Sequence, residues 1–235
     1  MTSPTSFSSY GSEYVGPSPL EVQAQHLRQY FPELANATFD ASIEHMALPH
    51  GAEGYFIFPA DWRLIASQYV EGACSRAFTK LHEVYDGNAF NHIEDDGVFF
   101  GQYLRESTAK TDVFALLREA QKGHDFLVVP GQFGLLHRER PVRKWQSLVE
   151  ESDEFGFGLF ETLIMLLTHP QRLHHYLDLR ICCPGDEMYW YASAHHFPAH
   201  TPCFYFYSDH LKLTGRAVGD HPYGYGLVSG FLPKM

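Results

Sequence analysis

The chain has little cysteine and few positively charged residues for its size. Its 235 residues include 4 cysteines and 17 Lys or Arg against 28 Asp or Glu, and the formal net charge is −11. Four cysteines are too few for a disulfide-rich scaffold, and an acidic chain repels the phosphate backbone of nucleic acids. The composition therefore excludes a small cystine-rich protein and disfavours nucleic acid as a partner overall.

Long apolar runs and targeting segments are also lacking. The most apolar stretch lies around residues 163–167 and is too short to cross a bilayer. The first residues contain neither a basic cluster nor an apolar run, so they do not resemble a secretory signal. These absences predict a soluble, cytoplasmic protein with no membrane association.

The middle of the chain has no linker rich in Pro, Gly or Ser, and no internal repeat is visible. Residues 1–17 are rich in Ser, Thr, Gly and Pro and offer little to bury, which predicts a mobile amino-terminal tail. We therefore expect a single domain over residues 18–235, helix-rich over 18–170 and strand-rich over 171–235.

Apolar spacing predicts where the helices and strands lie. Ser18 and Pro19 resemble a helix start, a long apolar face runs from Trp62 to Val84, and another helix begins near Thr111. Residues 159–168 are apolar almost all round, which predicts a buried helix. Period-two alternation after residue 176 predicts strands. This order predicts an α+β fold, with N-terminal helices packed on a mixed or antiparallel C-terminal sheet.

The last third of the chain is rich in histidine and cysteine. Four of these residues have the spacing C-x12-H-x3-H-x2-C, namely Cys183, His196, His200 and Cys203. Two thiolates and two imidazoles form a complete tetrahedral set for zinc, and three ligands with a water would form a catalytic site. A metal-dependent enzyme is therefore one functional hypothesis, with Asp186 or Glu187 as its general base.

Two weaker patterns also suggest chemistry. His92 and Glu94 match half of a two-His-one-carboxylate iron site, which a distal histidine would complete. Cys182 shares a predicted strand face with Arg180, which could lower the thiol pKa and produce a nucleophile. Each pattern is short and arises easily by chance, so neither is preferred.

A basic cluster and an aromatic run suggest binding instead. The basic cluster consists of Arg138, Arg140, Arg143 and Lys144 and is followed by Trp145, and the aromatic run consists of Tyr189, Trp190 and Tyr191. Cations and aromatic rings together can hold an acidic ligand. Our preferred hypothesis is a non-enzymatic binding domain with an aromatic and His-rich C-terminal surface. Its partner, a small molecule or a protein, and its oligomeric state stay open.

Overall fold

The structure is a computed structural model that describes residue 10 and residues 13–91, 103–150, 152–189, 200–219 and 223–233. Helices and strands both occur along this part of the chain, and the strands pair in antiparallel and parallel directions. The predicted α+β class is therefore confirmed.

The α-helices alternate with short 3-10 turns. They are α1 (Leu20–Tyr30), α2 (Ser75–Val84), α3 (Thr108–Ala120), α4 (Val142–Val149) and α5 (Leu159–Thr168). Every residue of α5 is buried, and this helix contacts α1, α2 and β1, the strand Gly54–Pro59. The all-round apolar sequence of α5 thus reflects its central position, as predicted.

The long helix predicted from Trp62 to Val84 is broken into separate pieces. Its residues form a 3-10 turn at Trp62–Leu64, a π turn at Tyr69–Cys74 and then α2. The Tyr69 hydroxyl donates a hydrogen bond of 2.6 Å to Asp186, which is far away in sequence. A widened helical turn can re-aim a side chain in this way. The helix therefore departs from regular α-helical spacing at the turn whose Tyr69 contacts Asp186.

Helix α4 lies where the sequence suggested a basic loop. Pro141 precedes it, Val142 and Trp145 are buried on one side, and Arg143 and Lys144 are exposed on the other. Spacing of this kind is typical of an amphipathic helix that packs by one face. The basic cluster is therefore divided between a loop and a helix.

The first sheet has four strands in the order β1-β4-β11-β5 and is antiparallel. Strand β1 pairs with β4 (Phe126–Gln132), and β11 (Ser229–Phe231) lies between β4 and β5 (Glu154–Gly156). Three of these strands come from the part of the chain before residue 170, so strands occur there as well as in the last third.

The second sheet has seven strands and is mixed, as predicted. Its strands are β2 (Ala89–Asn91), β3 (Leu104–Glu106), β6 (Arg180–Cys182), β7 (Asp186–Met188), β8 (His200–Tyr207), β9 (His210–Ala217) and β10 (Tyr225–Leu227). Strands β8 and β9 form an antiparallel hairpin along their whole length, whereas β10 runs parallel to β6 and β2 runs parallel to β9. Strand β8 thus pairs with three strands of this sheet, β6, β7 and β9.

The amino-terminal segment contributes to the main core. Tyr10 and Tyr14 are buried, and both hydroxyls donate hydrogen bonds to Glu53. Both tyrosines lie within residues 1–17, which the sequence predicted to be mobile with little to bury. That expectation does not hold for these two side chains, and the domain boundaries otherwise stay a prediction.

Within the described ranges, no helix combines the length and apolar character that crossing a bilayer requires.

Candidate functional site

The structure does not bring together the sulfurs of the predicted metal site. Cys203 is bonded to Cys182, its direct partner across β6 and β8. Cys183 belongs to the main core, whereas Cys203 lies in a second apolar cluster. Adjacent strand residues face opposite sides of a sheet, which explains this separation.

The other two predicted ligands have different outcomes. His196 lies outside the described residues, and His200 is half-buried at the start of β8. Among the described residues, no group of three or more His, Cys, Asp or Glu side chains could hold a metal ion. Zinc binding at the four predicted positions therefore stays a prediction.

The iron pattern and the predicted cysteine nucleophile have different outcomes. His92 and Glu94 lie outside the described residues, so the iron pattern stays a prediction. Cys182 is held in the disulfide with Cys203, so its sulfur is not a free nucleophile in this structure.

The predicted contact residues divide between surface and core. Arg143 and Lys144 are exposed, and Arg138 and Arg140 are half-buried. Trp145 is only 2% exposed and packs over the Cys182–Cys203 disulfide. In this structure its ring fills the space between α4 and the second sheet, and a ligand contact of Trp145 stays a prediction.

The aromatic run is only partly described. Tyr189 is half-buried, its hydroxyl donates to Glu187 at 3.3 Å, and the Arg105 guanidinium lies 5.5 Å from its ring centre. Trp190 and Tyr191 lie outside the described residues.

A group of cations and tyrosines lies on one side of the second sheet, beside the second apolar cluster. We call it the basic tyrosine face, and it consists of Arg180, Tyr205, Tyr207, Lys212, Arg216 and Tyr225. Tyr207 is exposed, Tyr225 is buried, and the other four are half-buried. Strand register explains the grouping, because Tyr225 pairs with Arg180 across β10 and β6, and Tyr205 pairs with Lys212 across β8 and β9. Side chains that alternate along paired strands meet on a common face.

Each cation of this face contacts an aromatic ring. The guanidinium carbons of Arg180 and Arg216 lie 5.0 and 4.4 Å from the ring centre of Tyr225. The Lys212 ammonium lies 5.4 Å from the ring of Tyr207, whose side chain is exposed. These distances fall within the range of cation–π attraction. The rings thus hold the cations in place along the sheet.

Carboxylates do not neutralise this face in the described part of the chain. No described Asp or Glu forms an ion pair with Arg180, Lys212 or Arg216, whereas exposed lysines elsewhere, such as Lys80 and Lys122, pair with a glutamate three residues away. Arg216 Nε is also buried without a hydrogen-bond partner. Because Arg180 and Arg216 contact the same ring, an anion between them would relieve their repulsion.

The predicted basic cluster borders the same face. The backbone N–H of Glu139 donates to the Tyr225 carbonyl at 2.7 Å, and that of Arg143 donates to the Val218 carbonyl at 3.2 Å. These bonds attach the loop and the start of α4 to the ends of β10 and β9. The exposed side chains of Arg143 and Lys144 therefore extend the positive charge beyond the sheet.

A small pocket of about 170 Å³ lies between α4 and the second sheet. Arg143 and Gln146 line it from the helix, and His200, Asp186 and Glu187 line it from the sheet. The structure thus brings the predicted ligand His200 beside both predicted general bases. Arg143 and Glu187 give the lining charges of both signs, whereas the Asp186 carboxylate is buried against Lys110 and the Tyr69 hydroxyl.

A buried ionic cluster lies deeper behind Asp186. Lys110 is 1% exposed, and its ammonium lies 2.8 Å from Asp186 and 3.1 Å from both Glu161 and Glu106. Lys110 also donates to the Tyr69 hydroxyl at 3.0 Å. The cluster ties α3, α5 and β7 together through partners that are distant in sequence.

Burial and charge act against each other in this cluster. Burial alone lowers the pKa of Lys110, but Asp186, Glu161 and Glu106 outweigh it and leave that pKa well above its usual value. Burial raises the pKa of Glu161 and, more strongly, that of Tyr69. Lys110 is therefore a permanent cation here, and not a base that loses its proton near neutral pH.

Sequence reasoning missed Arg180, Lys212 and Arg216 as a group because Arg180 lies on β6, whereas Lys212 and Arg216 lie on β9. The period-two alternation that predicted strands after residue 176 contained part of the signal, since it placed Arg180 on a face opposite Ile181. Comparison of the chain with known protein families, with curated proteins and with solved structures finds no match.

Proposed function

We propose that this protein is a non-catalytic binding domain whose basic tyrosine face takes an acidic segment of a partner protein. The observation that supports the proposal is the set of three cations, each against a tyrosine ring and unpaired among described carboxylates. Arginine and tyrosine are also enriched where protein interfaces gain most of their affinity.

Net charge favours a short acidic segment over a nucleic acid. The protein carries a formal charge of −11, so a long polyanion is repelled by most of its surface. At ordinary salt, screening confines electrostatic repulsion to distances of about 10 Å. A short acidic segment bound on the basic tyrosine face therefore avoids repulsion by the acidic remainder of the surface. Tyrosine rings beside the cations also suit the apolar residues of a peptide.

The test measures binding of a fluorescent Asp- and Glu-rich peptide by anisotropy, beside a Lys-rich peptide of equal length. We expect only the acidic peptide to bind, with an affinity that falls as salt increases. The double variant Arg180→Gln/Arg216→Gln should bind about tenfold more weakly, since each lost charge contact is worth up to about 1 kcal/mol.

A matched double variant separates location from net charge. Lys80→Gln/Lys122→Gln removes the same charge from helix surfaces away from this face, so it should bind like the unmodified protein. Equal weakening in both variants would show that only net charge matters and would contradict the proposal. Tighter binding of duplex DNA or RNA than of the acidic peptide would contradict a protein partner.

No specific observation favours the alternative of a metal-dependent enzyme. Cys203 is held in a disulfide, and the two predicted cysteine ligands face opposite sides of the second sheet. That hypothesis stays a prediction, and metal analysis of protein purified without a chelator tests it. Stoichiometric zinc or iron would support it.

A further inference from the structure

A second pocket, also of about 170 Å³, shares no lining residue with the basic tyrosine face. It opens beside α3 and the first turn of α5. Its apolar walls are Trp62, Phe114 and Phe160, and its charged lining includes Glu106, Glu161 and Arg118. Aromatic walls with a few convergent charges are typical of a site for a small molecule.

Two carboxylates, those of Glu106 and Glu161, line this aromatic pocket. Glu106 accepts a hydrogen bond of 3.0 Å from the Trp62 indole N–H and lies 3.1 Å from the Lys110 ammonium. Glu161 is 4% exposed and accepts from the Gly158 N–H at 2.9 Å and from Lys110 at 3.1 Å. A carboxylate has about four acceptor positions, so both groups can accept a further donor.

The ionic cluster behind the pocket has more negative than positive groups. Lys110 is the ammonium shared by Glu106, Glu161 and Asp186. The raised pKa of Glu161 reflects its burial and its carboxylate neighbours. A cationic group entering from the pocket would meet two of these carboxylates and would offset part of the excess negative charge.

Arg118 provides the opposite charge in the pocket lining. Its guanidinium makes one long contact, 3.4 Å to the Ala60 carbonyl, and no described carboxylate forms an ion pair with it. The neighbouring Arg63 differs, because it pairs with Asp61 at 3.1 Å. Arg118 is thus available to a carboxylate, which an arginine can bind through two parallel hydrogen bonds.

We infer that the aromatic pocket binds a small zwitterion with an apolar body, a free amino acid of the phenylalanine type. Its ammonium lies at Glu106 and Glu161, its carboxylate at Arg118, and its side chain against the three aromatic walls. This site is independent of the basic tyrosine face, so either proposal can fail alone.

A ligand series tests the chemistry by titration calorimetry on the full chain. L-Phenylalanine carries both charges, phenethylamine lacks the carboxylate, and 3-phenylpropionate lacks the ammonium. We expect phenylalanine to bind, and each truncated ligand to bind about tenfold more weakly, because each loses charge-assisted hydrogen bonds. Absence of phenylalanine binding, or equal binding of the three ligands, would overturn the inference.

The variant Arg118→Gln assigns the carboxylate end. It should lower the affinity for phenylalanine to that of phenethylamine and leave phenethylamine binding unchanged. Glu119→Gln is the matched control, because Glu119 is the next residue of α3 and its side chain is 77% exposed. Equal loss for both ligands in Arg118→Gln would contradict the assignment, and melting temperatures report whether each variant is folded.

Discussion

His169 joins the amino-terminal segment to the end of helix α5. Its ring is fully buried, Nε2 accepts the Ser18 backbone N–H at 2.9 Å, and Nδ1 lies 3.1 Å from the Met165 carbonyl oxygen. This pattern requires a neutral ring with its proton on Nδ1. Ser18 therefore stabilises the segment before α1 through its backbone, while Pro19 occupies the cap position of α1, which has no side-chain cap hydrogen bond.

Burial of His169 predicts a specific loss of stability in acid. Burial lowers its pKa from 6.5 to about 4, so the unfolded chain binds the proton more readily between these values. The free energy of unfolding should therefore be highest above pH 6.5 and should fall by about 3 kcal/mol as pH decreases to 4.

Denaturant titrations across this pH range measure the effect of His169→Gln. The variant should lose that part of the pH dependence, whereas His45→Gln, at an exposed histidine, should keep it. An unchanged pH dependence in His169→Gln would show that another group is responsible.

At the scale of elements, helix α4 covers part of the second sheet. Its Val142 and Trp145 pack over the Cys182–Cys203 disulfide, together with Leu227. The disulfide connects neighbouring strands β6 and β8 at directly opposed positions. Strand pairing, the disulfide and the helix therefore stabilise the same region, next to the basic tyrosine face and on the same side of the sheet.

Reduction of this disulfide should destabilise the protein. The bonded cysteines are 21 residues apart, and closing a loop of this length in the unfolded chain is worth about 3 kcal/mol. Dithiothreitol should therefore lower the melting temperature of the unmodified protein. It should have no effect on the double variant Cys182→Ala/Cys203→Ala, and an equal effect on both proteins would contradict the assignment.

The Cys182–Cys203 disulfide conflicts with the predicted cytoplasmic location. The cytoplasm is a reducing compartment, and disulfides are rare in such compartments. Thiol-blocking extraction followed by mass spectrometry shows which form exists in cells.

At the scale of the whole molecule, the amino-terminal tyrosines complete the core around Arg172. The guanidinium carbon of Arg172 lies 3.8 Å from the ring centre of Tyr10, and its Nη2 donates to the carbonyls of Phe133 and Leu179 at 3.1 and 2.9 Å. A buried cation needs such partners, because desolvation is costly. Tyr10 and Tyr14 also donate to the buried Glu53.

Truncation of Tyr10 should therefore destabilise the whole protein. We expect Tyr10→Ala to cost about 3 kcal/mol or more, because it removes a buried ring and a partner of Arg172 and Glu53. Tyr223→Ala is the control, since Tyr223 is 85% exposed and should change stability little. If denaturant titrations showed that Tyr10→Ala and Tyr223→Ala lower the free energy of unfolding by equally small amounts, Tyr10 would not belong to the core. That result would agree with the sequence prediction for residues 1–17.

The sequence alone determined those elements that local pattern encodes. Continuous apolar character predicted the buried helix α5, alternation predicted the strands after residue 176, and Ser18 and Pro19 marked the start of α1. These patterns suffice because helix and strand periodicity depends on neighbouring residues. They also sufficed for the α+β class.

Tertiary structure alone decided the candidate sites. Arg180, Arg216 and Tyr225 lie on three different strands, β6, β9 and β10, and come into contact only in the folded sheet. Cys203 bonds to Cys182 because strand register places them opposite each other. Lys110 likewise finds Asp186 across the fold. Such contacts depend on strand register and long-range packing, which local spacing does not encode.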